Sequence, residues 1–143
     1  MTTILQKDGE ILDNKISSIS DFFQLMKPRV MSLVIFTALI GYFCGVFSTE
    51  TILNPYLSMI GILAIALGAG SSGVLNQWYD REVDSMMERT KNRPIPKGKI
   101  EPSDALAFGL IGSILSIVIL GLCINWLAGF LLFFTIIFYA VFY

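Results

Sequence analysis

Three uncharged runs decide what this chain can fold into. Val30 to Thr49 is 20 residues without a charged side chain, Thr51 to Tyr79 is 29, and Ala105 to Tyr143 is 39. One helix crosses the hydrocarbon core of a bilayer with about 20 apolar residues. The first run therefore predicts a span over about 30–49. Asn54-Pro55 reads as an N-cap followed by proline at the first helical position, so a second span is expected over about 56–77. The third run is too long for one helix and is punctuated at Asn125; it divides into 105–124 and 126–143. The expected fold is an all-α integral membrane protein with about four transmembrane helices in this chain. With 15% charged residues and a mean hydropathy of +0.71, against about 25% charged in soluble domains, a soluble-domain reading is excluded.

The charges are segregated. All ten Lys and Arg lie at or before Lys99, and nothing after Asp104 is charged. Lys27 and Arg29 precede the first span, and Arg81, Arg89, Lys91, Arg93, Lys97 and Lys99 lie between the second and third. The 49–55 and 124–126 turns carry no Lys or Arg. By the positive-inside rule the N-terminus and the 78–104 loop face the cytoplasm, or the matrix of a mitochondrion. Residues 1–29 read as a cytoplasmic segment in which Ile16, Ile19, Phe22, Phe23, Leu25 and Met26 form a short amphipathic helix on the inner membrane surface. Asp8, Glu10 and Asp13 stand where a signal peptide would need an apolar stretch.

A net charge of −1 gives no bulk signal for nucleic acid. There is no histidine, which removes imidazole bases and ligands from this chain and leaves hard cations held by oxygen as the metal chemistry open to it. Cys44 and Cys123 sit in apolar segments and read as buried thiols.

GAGSSG, Gly68 to Gly73, fits a dinucleotide-binding pattern by spelling alone. That chemistry needs a preceding strand. Inside a membrane span, small residues instead let a neighbouring helix approach closely.

NQWYDREVD, Asn76 to Asp84, is different. Asn76, Asp80 and Asp84 are spaced i, i+4, i+8, so a helix places them on one face. Each step rises about 6 Å and turns only about 40°. Two carboxylates and an amide oxygen in one stripe suit Mg²⁺, which completes its octahedron with substrate phosphates and water. Ordinary interfacial charges capping a membrane helix would also account for the stripe. Acids at a helix C-terminus oppose its dipole, however, which favours a functional reason. The following MERTKNRPIPKGKI brings Arg89, Lys91, Arg93, Lys97 and Lys99, with Pro94 and Pro96 stiffening the loop. Arginine recognises phosphate through paired hydrogen bonds and lysine as a point charge. The arrangement suits a diphosphate. Lys97 and Lys99 fit topology alone, and Glu82 and Glu88 read as solvated charges.

The N-x-x-x-D-x-x-x-D stripe followed by ERTKNRP resembles the first signature of the UbiA-type intramembrane prenyltransferases. KPRV at Lys27–Val30, NQW and the basic loop resemble the branch acting on protohaem IX. The resemblance covers about Phe22 to Tyr143. It implies that 30–143 is the N-terminal part of a prenyltransferase membrane domain, within a bundle of about nine helices around a cavity. It implies a farnesyltransferase using farnesyl diphosphate and protohaem IX, with Mg²⁺ as cofactor and the bilayer as surroundings. Asn76, Asp80 and Asp84 would hold the metal. Asn76, Arg89, Lys91 and Arg93 would bind the diphosphate, and Asp80, Asp84 and Arg93 would carry catalysis. Haem-modifying or oxidase-assembly proteins would act downstream, in a bacterial or mitochondrial inner membrane. Family members carry a second acidic motif, and this chain has none after Asp104; it reads as roughly the first half of such an enzyme. Phe36, Tyr42, Phe43 and Trp78 are open to two readings: lining of a prenyl path, or packing and interfacial anchoring. Two further alternatives stand beside haem farnesylation. One is an aromatic quinone precursor as acceptor, and the other is a membrane fragment without activity of its own.

Overall fold

Proline opens each of the three long helices, where its missing N–H is an unpaired donor anyway and its fixed φ suits the first turn. A computed structural model describes residues 19–50 and 54–142. Helix α1 covers 19–25 of these, and α2 (Pro28–Thr49), α3 (Pro55–Tyr79), α4 (Arg81–Met86), α5 (Pro102–Cys123) and α6 (Trp126–Phe142) follow. No strand occurs among the described residues. Asn54 caps α3 as its sequence implied, its side-chain oxygen accepting from Tyr56 N–H at 3.0 Å. Helices α2, α3 and α5 are long and apolar enough to cross a membrane. Helix α6, at 17 residues, is shorter, about 25 Å at 1.5 Å per residue. The chain is an all-α integral membrane protein.

Helix α3 is the central element and packs against α2, α4, α5 and α6. GAGSSG lies within it, with Gly68, Gly70, Ser71, Ser72 and Gly73 buried. A Cβ added at Gly68 would meet Ser116 Oγ of α5 and Leu132 of α6 at 3.0 Å. At Gly109 of α5 it would meet Leu75 of α3 at 2.8 Å. The small residues thus set the helix separation, and the glycine pattern is a packing device. Helices α5 and α6 meet backbone to backbone, since a Cβ at Gly129 would stand 3.1 Å from Ile117 O and 3.2 Å from Gly121 Cα. No residue of α2 is buried.

Where α3 ends, Leu25, Val74, Ile95, Ile100 and Ala105 form a buried cluster that joins α1, the 87–101 loop and the start of α5. Gln77 Nε2 donates to Leu25 O at 2.7 Å, and the buried Asp21 carboxylate lies 3.7 Å from Lys99 Nζ. Lys99 therefore has a specific partner, beyond the topological role its sequence suggested. Ile19 and Phe23 face outward while Leu25 is buried, so α1 has two unlike faces.

Two expectations are corrected. The stripe does not lie on one unbroken helix. Asp80, at φ −87 and ψ 6, separates α3 from α4. The register survives the break because Asp80 N–H donates to Asn76 O at 2.9 Å and Asp84 N–H to Asp80 O at 2.8 Å. Nor are the thiols buried: Cys44 is exposed, on a helix with no buried residue, and Cys123 is partly exposed near the end of α5. Ile16, the acidic residues before it, residues 51–53 and Tyr143 lie outside the described residues.

Candidate diphosphate site at the end of helix α3

Asn76 and Asp84 are buried, and Asp80 between them is partly exposed. Asn76 Nδ2 donates to Asp80 Oδ2 at 3.3 Å. Arg93, nine residues further on, returns to the stripe with Nη1 2.8 Å from Asp84 Oδ2. Its loop is tied down in three places. Thr90 Oγ1 donates to Asp84 O at 2.9 Å. Ile95 and Ile100 enter the buried cluster. The amides of Lys99 and Ile100 both donate to Pro94 O, at 3.0 and 3.4 Å, around Gly98 at φ +78, a conformation that glycine adopts without strain.

Asn76, Asp80, Asp84, Arg89 and Arg93 line one cavity of about 250 Å³. Lys91 is not among its lining residues; it is exposed, with Nζ 3.5 Å from Glu88 Oε1. Lys27, read in sequence only for topology and resemblance, does line it. Lys27 has φ 52, a left-handed conformation uncommon outside glycine. It turns the chain from α1 into α2, and its carbonyl accepts from Val30 and Met31 N–H at 2.9 and 3.1 Å. Burial pushes the Lys27 pKa below its ordinary value and Arg93 acts the same way, while Asp84 and Asp80 oppose them. No sequence periodicity signals Lys27, because a single left-handed residue brings it to the site.

A second cavity of about 430 Å³ adjoins, lined by Lys27, Val30, Gln77, Arg89 and Arg93 among others. Val30 also lines an apolar cavity of about 140 Å³ with Val34, Ile65, Ala69, Leu132 and Tyr139. Ile65, Leu132 and Thr135 also line a larger one of about 490 Å³ between α2, α3, α5 and α6. Acidic, basic and apolar surfaces therefore follow one another along α3. Of the aromatics, Tyr42 lines the large apolar cavity. Phe43 makes an edge contact with Tyr42 at 5.5 Å and Phe36 faces outward. Trp78 packs on the buried cluster, beneath the Arg81 guanidinium at 4.8 Å.

The model of the UbiA prenyltransferase family matches residues 34–143. The chain belongs to this family. It is 55% identical to the protoheme IX farnesyltransferase of Rhizobium johnstonii over 140 residues, 98% of this chain and 42% of that protein. It is 58% identical to the protoheme IX farnesyltransferase of Methylorubrum populi over 125 residues, 87% of this chain and 38% of that protein. Protoheme IX farnesyltransferase 2 of Mesorhizobium japonicum is 55% identical over 123 residues, 86% and 38% respectively. The chain thus spans about two-fifths of the length of these relatives. No solved structure matches it.

The donor set fits a hard divalent cation. Asp80 and Asp84 offer carboxylate oxygens into one cavity and Asn76 an amide. Among the described residues no three Asp, Glu, Cys or His side chains cluster as a cage. Two carboxylates and an amide suit a hard divalent cation that takes its other ligands from phosphate and water.

Proposed function

We propose that this chain forms the donor-diphosphate site of a protohaem IX farnesyltransferase, which converts protohaem to haem O. One observation carries the reading: Asn76, Asp80, Asp84, Arg89 and Arg93 share a cavity, and a series of cavities that share lining residues, each with the next, passes from it to apolar walls. A prenyl diphosphate has those two ends. The relatives' shared name supplies the acceptor.

Asn76, Asp80 and Asp84 would hold Mg²⁺. When bound, the ion supplies positive charge to the diphosphate oxygens. Arg93 and Arg89 donate hydrogen bonds to the phosphoryl groups, and Lys91 adds positive charge from the outer side of the loop. These donors stabilise negative charge that grows as the farnesyl C–O bond breaks. The bonding electron pair leaves with the diphosphate, and the farnesyl group becomes an allylic cation. Apolar walls keep water from it. A haem vinyl group attacks the cation, and water adds to the resulting haem-side cation with loss of a proton, giving the hydroxyethylfarnesyl group. No protein nucleophile is needed.

The site lies on the cytoplasmic or matrix side, as the Lys and Arg distribution of the loops supports. A diphosphate headgroup is there in water while its tail lies in the membrane. Haem-modifying or oxidase-assembly proteins would take up the product.

The test is farnesyl transfer to protohaem in detergent with Mg²⁺. It would use a protein of the relatives' full length that contains this chain, beside the 143-residue chain itself. Transfer by the long form that disappears in Asp80→Asn and Asp84→Asn, with folding intact, is the expected result. Wild-type turnover by both variants refutes the site. Transfer to an aromatic ring but not to protohaem refutes the acceptor alone.

A further inference from the structure

We propose that Lys27 is a direct ligand of the donor diphosphate, at the phosphoryl group that bears the prenyl chain. The inference rests on the function proposed above and adds a residue to it.

Position carries the argument. Lys27 lines the cavity that holds Asp80, Asp84 and Arg93. Its Nζ also lies 5.8 Å from the centre of the Tyr139 ring, and Tyr139 lines the apolar cavity. One helical turn on, Val30 lines that apolar cavity too. The ammonium therefore stands where the anionic and apolar surfaces meet. A prenyl diphosphate with its head among the acids and its tail in the apolar cavity passes this point at its C–O–P linkage.

The ammonium is also available. Among the described residues the ion pairs within 4.0 Å are Lys91–Glu88, Arg93–Asp84 and Lys99–Asp21, and Lys27 is in none of them. Arg93, by contrast, already holds Asp84 at 2.8 Å.

The placement is built in. The Lys27 stem crosses α3 at Gly73, where an added Cβ would lie 3.8 Å from Lys27 Cδ and 3.7 Å from Leu25 O. Gln77 of α3 anchors the preceding turn through Leu25 O. Pro28 fixes the start of α2 just after the left-handed residue. A left-handed lysine is costly for the backbone, and strain of this kind persists where the surrounding structure enforces it.

The chemistry balances without a proton transfer. The C–O bond breaks heterolytically, its electron pair stays on the bridging oxygen, and the ammonium beside that oxygen stabilises the new charge. Lys27 keeps its protons throughout. The interaction strengthens as the bond breaks, so its loss lowers kcat more than it raises KM.

The experiment is steady-state farnesyl transfer by a protein of the relatives' full length, with Lys27→Met, Lys27→Arg and Asp80→Asn compared. Lys27→Met should lower kcat about 10²-fold or more, as removal of one charge-stabilising donor does, with a melting temperature no lower than that of wild type. Lys27→Arg should retain a larger part of the rate. A wild-type kcat in Lys27→Met, with Asp80→Asn inactive, overturns this inference and leaves the diphosphate site standing. A wild-type rate in Asp80→Asn overturns the reading beneath it. Should Lys27→Met melt early, Lys27→Cys alkylated with 2-bromoethylamine decides, because it regenerates an ammonium of nearly lysine length. Recovery of rate, against wild type treated alike, supports the assignment; no recovery overturns it.

Discussion

Arg93 Nη1 lies 2.8 Å from Asp84 Oδ2 across the turn that closes α4. The carboxylate is 7% exposed and the guanidinium 31%. A residue assigned to the phosphate thus holds a residue assigned to the metal. Without substrate the arginine supplies the positive charge that this buried carboxylate requires.

This pairing gives Arg93 a structural role beside the one proposed for it at the phosphate. Arg93→Ala should destabilise the fold by about 1–3 kcal/mol, because it leaves a buried carboxylate without its hydrogen-bond donor. It should also raise KM for farnesyl diphosphate. Arg93→Lys keeps the charge but loses the planar fork, so most of the stability should return and less of the affinity. Thermal unfolding and KM, measured on the same preparations, separate the two effects.

Gly121 and Gly129 bring the α5 and α6 backbones together, and the atoms that a Cβ at Gly129 would strike are backbone atoms. Such neighbours cannot swing aside. Gly129→Leu should cost about 1–3 kcal/mol by overpacking and should loosen α6, which lines the apolar cavities with Leu132 and Thr135. Gly41→Leu on α2, where nothing lies within 4 Å, is the matched control and should be near neutral. Thermal unfolding in detergent tests both.

The partial burial of Lys27 predicts a pH signature in stability. Burial lowers its pKa in the folded state below the ordinary lysine value of 10.5, Arg93 lowers it further, and Asp84 and Asp80 oppose them. The charged form is therefore disfavoured by folding, and Lys27 opposes stability at neutral pH. As pH rises through the folded pKa toward 10.5, the unfolded chain holds the extra proton, so the wild type gains stability from this group. Lys27→Met should be no less stable than wild type at neutral pH, and any advantage it has should shrink across that alkaline window. A variant markedly less stable at neutral pH would contradict this account.

The long helices and the stripe were legible because each is periodic or continuous along the chain. Uncharged runs gave the long helices to within a few residues, and Asn54-Pro55 marked the start of α3. Spacing placed Asn76, Asp80 and Asp84 together even though the helix breaks at Asp80, since the i, i+4 hydrogen bonds carry across the break. What remained hidden depends on tertiary contact. Thr90 reaches Asp84 O over six residues, and Ile95 and Ile100 look like loop residues until Leu25, Val74 and Ala105 surround them. Lys27 enters the site through one left-handed turn. Lys91, in the same basic loop as Arg93, lies outside the cavity, its ammonium 3.5 Å from Glu88 instead.

The most direct test of the central claim is metal binding itself. Mn²⁺ replaces Mg²⁺ and is followed by electron paramagnetic resonance, with a protein of the relatives' full length and unreactive farnesyl thiodiphosphate. The account predicts that Mn²⁺ binds tightly only with the diphosphate present. It also predicts that Asp80→Asn and Asp84→Asn each weaken that binding about tenfold or more, the scale of one lost charge-assisted contact. Equal Mn²⁺ affinity in wild type and both variants would contradict it.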